Sequence, residues 1–419
     1  MASSSLKHLL RALIAQHAAS LAVRSWRSAS LGSLSSLRLE TTPQEPLTEP
    51  DQVRVEVRAV GLNFADIFSV LGLYKAANEV LAGQRDRAEA FCPGLEFAGV
   101  VTECGPAATS SVQVGERVFG FARFGAFRSE VVARAPLVRK IPSDWSFEEG
   151  ASLLVQGLTA WHGLVELGGA ERGGRALVHA AAGGVGLHTL QICDALGLAS
   201  TAVVSGGVDG EKASLVRARH PTARVVARAR TCDPRAYAAQ LREALGGGAA
   251  GYDVVMDSLG GRWFDCALDA LAPMGRIVHF GATSSYGSAA SGVRKWLSLI
   301  PAYLARPRVD PGVLTSTNRG VLGFNLIFLT EREELLAAEA RRDYTITSHA
   351  RYHHPTFTPL ALFPFPFPLP LSQLDAMCTR GGLLERPPVI GRTFSFEELP
   401  AALGYLQSGA SVGKVVVRV

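Results

Sequence analysis

Two hydrophobic periods divide the chain. Val53-Arg54-Val55-Glu56-Val57-Arg58-Ala59-Val60 alternates apolar and polar positions, which predicts a half-exposed strand. Ahead of it, Leu21-Ala22-Val23 and Leu37-Arg38-Leu39 predict short strands of a first hairpin within Leu21–Glu40. Gly61-Leu62-Asn63-Phe64-Ala65-Asp66 predicts a turn into a helix that closes at Leu71-Gly72-Leu73-Tyr74. Lys75–Cys92 is polar and predicts a loop, Pro93–Val101 leads into a strand, and Val114–Gly120 predicts a turn and strand. Several short strands between turns make a β-rich, barrel-like first domain.

From Ser146 the period changes. Phe147–Leu167 reads as helices. Strands and helices then alternate over Leu177–Ala180, Leu187–Leu196, Ala202–Ser205, Lys212–Arg219, Arg224–Ala227, Tyr237–Leu245, Asp253–Asp257, Trp263–Leu271 and Arg276–Phe280. That alternation predicts an α/β domain with a doubly wound parallel sheet. Val321–Leu329 predicts a further strand, Glu331–Arg341 and Leu399–Ser408 helices, and Lys414–Val417 a closing strand. Tyr344–Leu371 breaks the pattern. Its Phe363-Pro364-Phe365-Pro366-Phe367-Pro368 run suits neither helix nor central strand and reads as an extended insert.

Composition narrows the classes. The 419 residues suffice for two domains, and 47% hydrophobic with 19% charged residues is ordinary for a globular protein. No run of about 18 uncharged apolar residues is present. The net charge is +5, and Lys7, Arg11, Arg24, Arg27 and Arg38, all ahead of the first acid Glu40, account for it. The remainder is balanced, which argues against a nucleic-acid-binding face. The six cysteines are scattered without a CxxC pair, so neither a zinc cluster nor a disulfide framework is indicated. Residues 1–20 lack acids and place Leu9, Leu10, Leu13 and Ile14 on one helical face near Lys7 and Arg11, like an organelle transit peptide. The expectation is a cytoplasmic protein, with mitochondrial or plastid targeting as the alternative.

The chemistry centres on one turn. The strand-like Arg175–His179 ends in Ala180-Ala181-Ala182-Gly183-Gly184-Val185-Gly186, after which a helix begins. Glycines let the backbone turn sharply and approach a ligand, and the helix N-terminus suits a pyrophosphate. The string is not a full GxGxxG, so its context carries the assignment. The next strand ends at Ser205 without the acid that would hold an NAD ribose. A 2′-phosphate there would suit Ser205 and a cation. His179 and His188 flank the turn and are expected to be packed or capping residues rather than catalysts.

Ala181-Ala182-Gly183-Gly184-Val185-Gly186 resembles the cofactor turn of zinc-free medium-chain dehydrogenases/reductases. Gly61–Asp66, Gly72-Leu73-Tyr74, Pro93-Gly94-Leu95-Glu96, Asp257-Ser258-Leu259-Gly260-Gly261 and Val412–Val416 agree, and together they span nearly all the chain from Leu21. Quinone oxidoreductases of the ζ-crystallin type are the most similar. Asn318–Leu326 is similar to the vesicle amine transport protein 1 branch. The resemblance implies a GroES-like β-barrel domain from 21–145 and 375–419, a Rossmann domain over 146–330, and a helix with the Pro/Phe-rich insert over 331–374. It implies a homodimer and NADPH, with Ala182, Gly183, Gly184, Val185, Gly186, Ser205, Lys212, Phe280, Gly281, Phe324, Asn325 and Lys414 toward the cofactor. Arg228 is a second candidate for the phosphate. Metal-dependent relatives carry cysteine and histidine where Asn63 and Leu95 stand, so zinc is not expected.

The implied reaction is hydride transfer to a quinone or α,β-unsaturated carbonyl, with Tyr74 and Asn63 lining the cleft. Tyr74 would donate to the substrate oxygen or serve as a cleft aromatic. Asn63 would bind that oxygen or cap the following helix. The alternative is a low-turnover protein on the same scaffold that binds a lipid, a membrane edge or a partner. The apolar Trp296–Leu304 stretch fits that alternative or a core helix.

Overall fold

The computed structural model describes residues 22–84, 90–110, 112–229, 233–246, 251–282, 307–329 and 386–419. Residues 1–20, the Trp296–Leu304 stretch, Glu331–Arg341 and the Tyr344–Leu371 insert lie outside them.

The first half is β-rich. Strands β1 (Ala22–Ser28) and β2 (Leu37–Pro43) form the expected antiparallel hairpin. They are followed by β3 (Gln52–Gly61), helices α1 (Phe64–Val70) and α2 (Lys75–Gln84), and strands β4 (Glu96–Cys104), β5 (Arg117–Phe121), β6 (Glu130–Arg134) and β7 (Val138–Lys140). Helix α2 replaces the loop expected from its polar residues. Ala76 and Ala77 are fully buried, and alanine favours helix strongly enough to carry the polar Lys75, Asn78, Glu79 and Gln84 with it. Strand β3 is buried beyond its alternation. Arg54 is only 5% exposed because β4 and β6 flank β3, and it pairs with Glu103 at 2.8 Å and Glu130 at 2.6 Å.

The second half alternates. Helices α3 (Phe147–Gly150) and α4 (Leu154–Trp161) lead through a π-helical His162–Leu167 into β8 (Arg175–Val178). Then come α5 (Gly184–Leu196), β9 (Ala199–Ser205), α6 (Glu211–Arg219), β10 (Arg224–Arg228), α7 (Pro234–Leu245), β11 (Tyr252–Asp257), α8 (Arg262–Asp269) and β12 (Leu271–His279). Helix α9 (Pro311–Thr317), β13 (Gly320–Gly323) and α10 (Leu326–Leu329) follow. The expected strand Val321–Leu329 is shorter than predicted. It pairs with β12 from Arg276 to His279, and the chain turns helical once that partner ends. These strands form one parallel sheet in the order β10-β9-β8-β11-β12-β13. The order reverses between β8 and β11, where doubly wound sheets bind ligands.

The chain ends by returning to the first sheet with β14 (Ile390–Ser395), α11 (Leu399–Gln407) and β15 (Lys414–Arg418). The seven-stranded order is β14-β15-β3-β4-β5-β7, with β6 also on β3. This is the two-domain arrangement expected: a GroES-like barrel domain and a Rossmann sheet. One apolar cluster joins them, with Phe119 and Phe121 of β5, Leu158 and Trp161 of α4, and Val254 and Met256 of β11. Because β15 lies antiparallel to the end of β3, the start of β15 comes beside Gly61–Asn63 at the junction.

Candidate active site

The glycine turn sits at the carboxyl end of β8. Ala180 holds φ 50°, which its small side chain tolerates, and its carbonyl accepts the Gly183 N–H at 2.9 Å. A Cβ on Gly186 would stand 2.5 Å from Ala181 Cα, so only glycine lets α5 pack this close to β8. Gly183 caps α5 without a side chain, leaving first-turn N–H groups to an anionic ligand. The Gly413 N–H donates to Ala182 O at 2.7 Å and ties the turn to β15.

A cavity of about 260 Å³ opens over this turn. Asn63, Tyr74, Gly183, Gly184, Val185, Gly186, Phe280, Gly281, Phe324 and Asn325 all line it, and thus meet in one place although they span most of the chain. The Tyr74 hydroxyl donates to Asn325 Oδ1 at 2.6 Å. Burial, with help from the nearby Asp66 charge, pushes the Tyr74 phenol up to about 12, so it remains a donor across the physiological range. His162 and His188 are pushed down to about 4 by burial and stay neutral.

Beneath the cavity floor is a charged cluster. Lys414 Nζ donates to Asn63 Oδ1 at 2.9 Å and to Glu96 Oε1. Asn63 Nδ2 donates to Glu96 Oε1 at 2.9 Å and Gly61 O at 3.3 Å, and Glu96 Oε2 accepts the Val155 N–H of α4 at 3.0 Å. Lys414 and Glu96 are each 1% exposed. Lys414, expected toward the cofactor, places its ammonium in this cluster, while its chain neighbours Gly413 and Val415 line the cavity. It lies outside the cavity lining and neutralises Glu96, because the β3–β15 pairing turns it inward. Asn63 has both amide hydrogens and its oxygen engaged in the same cluster, so it holds the cavity wall. Its backbone N–H donates to Asp66 Oδ2 at 2.7 Å at the start of α1.

A second network crosses the switch point. Asp257, at the end of β11, lies 2.7 Å from His179 Nδ1 and 2.7 Å from His279 Nδ1, and accepts the Leu259 N–H at 3.1 Å. Burial opposes its ionisation, but the bonds from His179 and His279 outweigh burial and hold the carboxyl well below the usual range. An ionised carboxylate only accepts, so each Nδ1 carries the hydrogen, and His179 Nε2 lies within hydrogen-bond distance of the Tyr237 hydroxyl, 2.7 Å away. His179 is thus packed, as expected of it. The extent of its network is not readable from the chain; the only sequence signal is an acid ending a strand three strands downstream.

Ser205 and Lys212 meet at the end of β9. Lys212 Nζ donates to Ser205 Oγ at 3.0 Å and to Gly409 O at 2.6 Å. Both lie beyond the cavity lining, as does buried Ala182. The Arg228 guanidinium stacks on Trp263, 4.2 Å from the ring centre.

Comparisons with known proteins agree with this architecture. The family model of the alcohol dehydrogenase GroES-like domain matches residues 49–143, and that of zinc-binding dehydrogenase matches 233–417. The chain is 40% identical over 262 residues to the spectinabilin polyketide synthase system protein NorB of Streptomyces orinoci, covering 62% of this chain but only 11% of that protein. It is 30% identical over 312 residues to the human synaptic vesicle membrane protein VAT-1 homolog, covering 74% of this chain and 73% of that one. Mycobacterial Rv1454c complexed with NADPH superposes with a TM-score of 0.70 at 26% identity, over 95% of this chain and 100% of that one. The quinone oxidoreductase of Thermus thermophilus, solved also with NADPH, gives 0.63 at 25% identity, over 94% and 100%.

Proposed function

The chain belongs to the medium-chain dehydrogenase/reductase family of quinone oxidoreductases and VAT-1-like proteins, and on that premise we propose that it is an NADPH-dependent reductase of quinones or α,β-unsaturated carbonyls that works without zinc. The observation that carries the reading is that the glycine turn, Tyr74 and Asn325 face one cavity.

The residues fit the cofactor. Gly183 puts no side chain over the start of α5, α5 offers its N-terminal N–H groups, and Ser205 with Lys212 supplies a hydroxyl and a cation at the end of β9, a strand that ends without an acid. When bound, NADPH supplies the hydride. The chain supplies the rest. As negative charge grows on the substrate oxygen, that oxygen competes with Asn325 for the Tyr74 hydrogen, and the donated bond stabilises the transition state. Phe280 and Phe324, with ring centres 6.1 Å apart, give the reacting ring apolar walls. The donor set does not fit a metal: Leu95 has no ligating atom, and the Asn63 amide is taken by a buried ammonium that would repel a second cation.

Fluorescence titration with NADPH and NADH, followed by an oxidation assay with 1,2-naphthoquinone and an enone, tests the reading. Tight NADPH binding with turnover supports it. Tight binding without turnover on a broad panel favours a lipid- or partner-binding protein instead. Tyr74→Phe should lower kcat at least about tenfold with little change in NADPH affinity; unchanged kcat removes the role. Lys212→Ala should weaken NADPH about tenfold and leave NADH unaltered, since only the former carries the extra phosphate. Equal loss for both nucleotides would make Lys212 structural.

A further inference from the structure

Gln156 stands on α4, beside the glycine turn, and also lines the cavity. Its amide lies across the α-carbon of Gly184. A Cβ built there would be 1.7 Å from Gln156 Oε1 and 2.4 Å from Nε2. The residue is 9% exposed, and Oε1 is buried without a hydrogen-bond partner. Its neighbour on the same helix behaves otherwise: the Thr159 hydroxyl is satisfied by Val155 O at 2.6 Å. A buried amide oxygen without a partner destabilises a folded chain, and a leucine of similar size would pack against Gly184 without that cost. The amide therefore makes sense as half of a hydrogen bond whose other half arrives with a ligand.

We propose that Gln156 is a cofactor-contacting residue, its amide hydrogen-bonding the phosphate–ribose stretch of the dinucleotide that lies over Gly183–Gly186. This rests on the NADPH reading above. An amide carries both donors and an acceptor and can turn over about its last torsion, so it serves either a phosphate oxygen or a ribose hydroxyl. Placed at the first residue of α5, it extends the row of N–H groups with a side-chain group that the glycines themselves lack.

The test compares the full-length wild type with Gln156→Leu, Gln156→Met and Gln156→Glu, by NADPH fluorescence titration and by thermal melting without nucleotide. The two apolar variants should melt at or above the wild-type temperature, because the orphaned oxygen is gone. They should bind NADPH about tenfold more weakly, the size of a hydrogen bond to a charged group. Gln156→Glu should bind more weakly still, with the gap narrowing as salt is raised, because a carboxylate is brought beside the diphosphate. Wild-type affinity in both apolar variants would overturn the proposal and leave the amide a packing group, whatever their melting temperatures. Wild-type protein that binds neither nucleotide would overturn the NADPH reading itself, and this inference with it.

Discussion

Lys414→Met should lower the stability of the protein by about 3–5 kcal/mol, the cost of removing one partner of a buried ion pair. Lys414 and Glu96 are each 1% exposed, so water cannot reach in to solvate the carboxylate that would be left behind. The ammonium also holds Asn63 Oδ1, and Glu96 holds the Val155 N–H of α4. The loss is therefore felt across the junction between the two sheets. Urea unfolding should show a lower midpoint with little change in slope. Adding Glu96→Gln to Lys414→Met should recover much of the loss, because a neutral amide does not need the cation. In the folded variant NADPH affinity should change little, since Lys414 does not line the cavity. A variant as stable as wild type would mean that the pair is not formed; a variant that is stable but cannot bind NADPH would place Lys414 in the cofactor site.

The direction of the Lys414 side chain is not legible in the local sequence. The strand that carries it is legible from Lys414–Val417, and so are the turn at Gly183–Gly186 and the alternation of β8 through β12, because each follows from local period and glycine chemistry. Which way Lys414 points depends on the antiparallel pairing of β15 with β3, more than 350 residues away in the chain. Gln156 is silent in the sequence for the same reason: its meaning comes from Gly184 lying against it. The Asp257 network needs three strand ends to be neighbours, and only the order β8-β11-β12 makes them so. Helix α2 is a different kind of miss. Its polar residues suggest a loop, but the two alanines that dock it carry little hydrophobic signal. Tyr74 and Asn325, by contrast, both follow from motif, and the fold brings them to 2.6 Å.

Asp66 should make stability fall as pH rises, opposite to an ordinary salt-bridged carboxylate. It is fully buried at the start of α1, close enough to the Lys414 cluster to sense its charges. Burial pushes its carboxyl up from the ordinary 3.8 to about 7, against the lowering effects of the Asn63 N–H and Lys414. Between those values the native state keeps a proton that the unfolded chain has lost, so unfolding becomes easier with each step toward alkaline pH. At about 1.4 kcal/mol per pH unit the window amounts to about 4 kcal/mol, fully present as extra stability below pH 4 and gone above about pH 7. Asp66→Asn keeps an acceptor for the Asn63 N–H and cannot titrate. Its stability relative to wild type should therefore improve by about 4 kcal/mol between pH 4 and pH 8, whatever offset the substitution brings at pH 4. Urea midpoints across that range measure the difference directly, and a constant offset would show that Asp66 is ionised throughout. The two variants are also coupled. Removing the Lys414 cation takes away a charge that favours ionised Asp66, so the penalty of Lys414→Met should deepen above pH 7 and shrink when Asp66→Asn is combined with it. An equal penalty at every pH would separate the carboxyl of Asp66 from the cluster beneath the cavity.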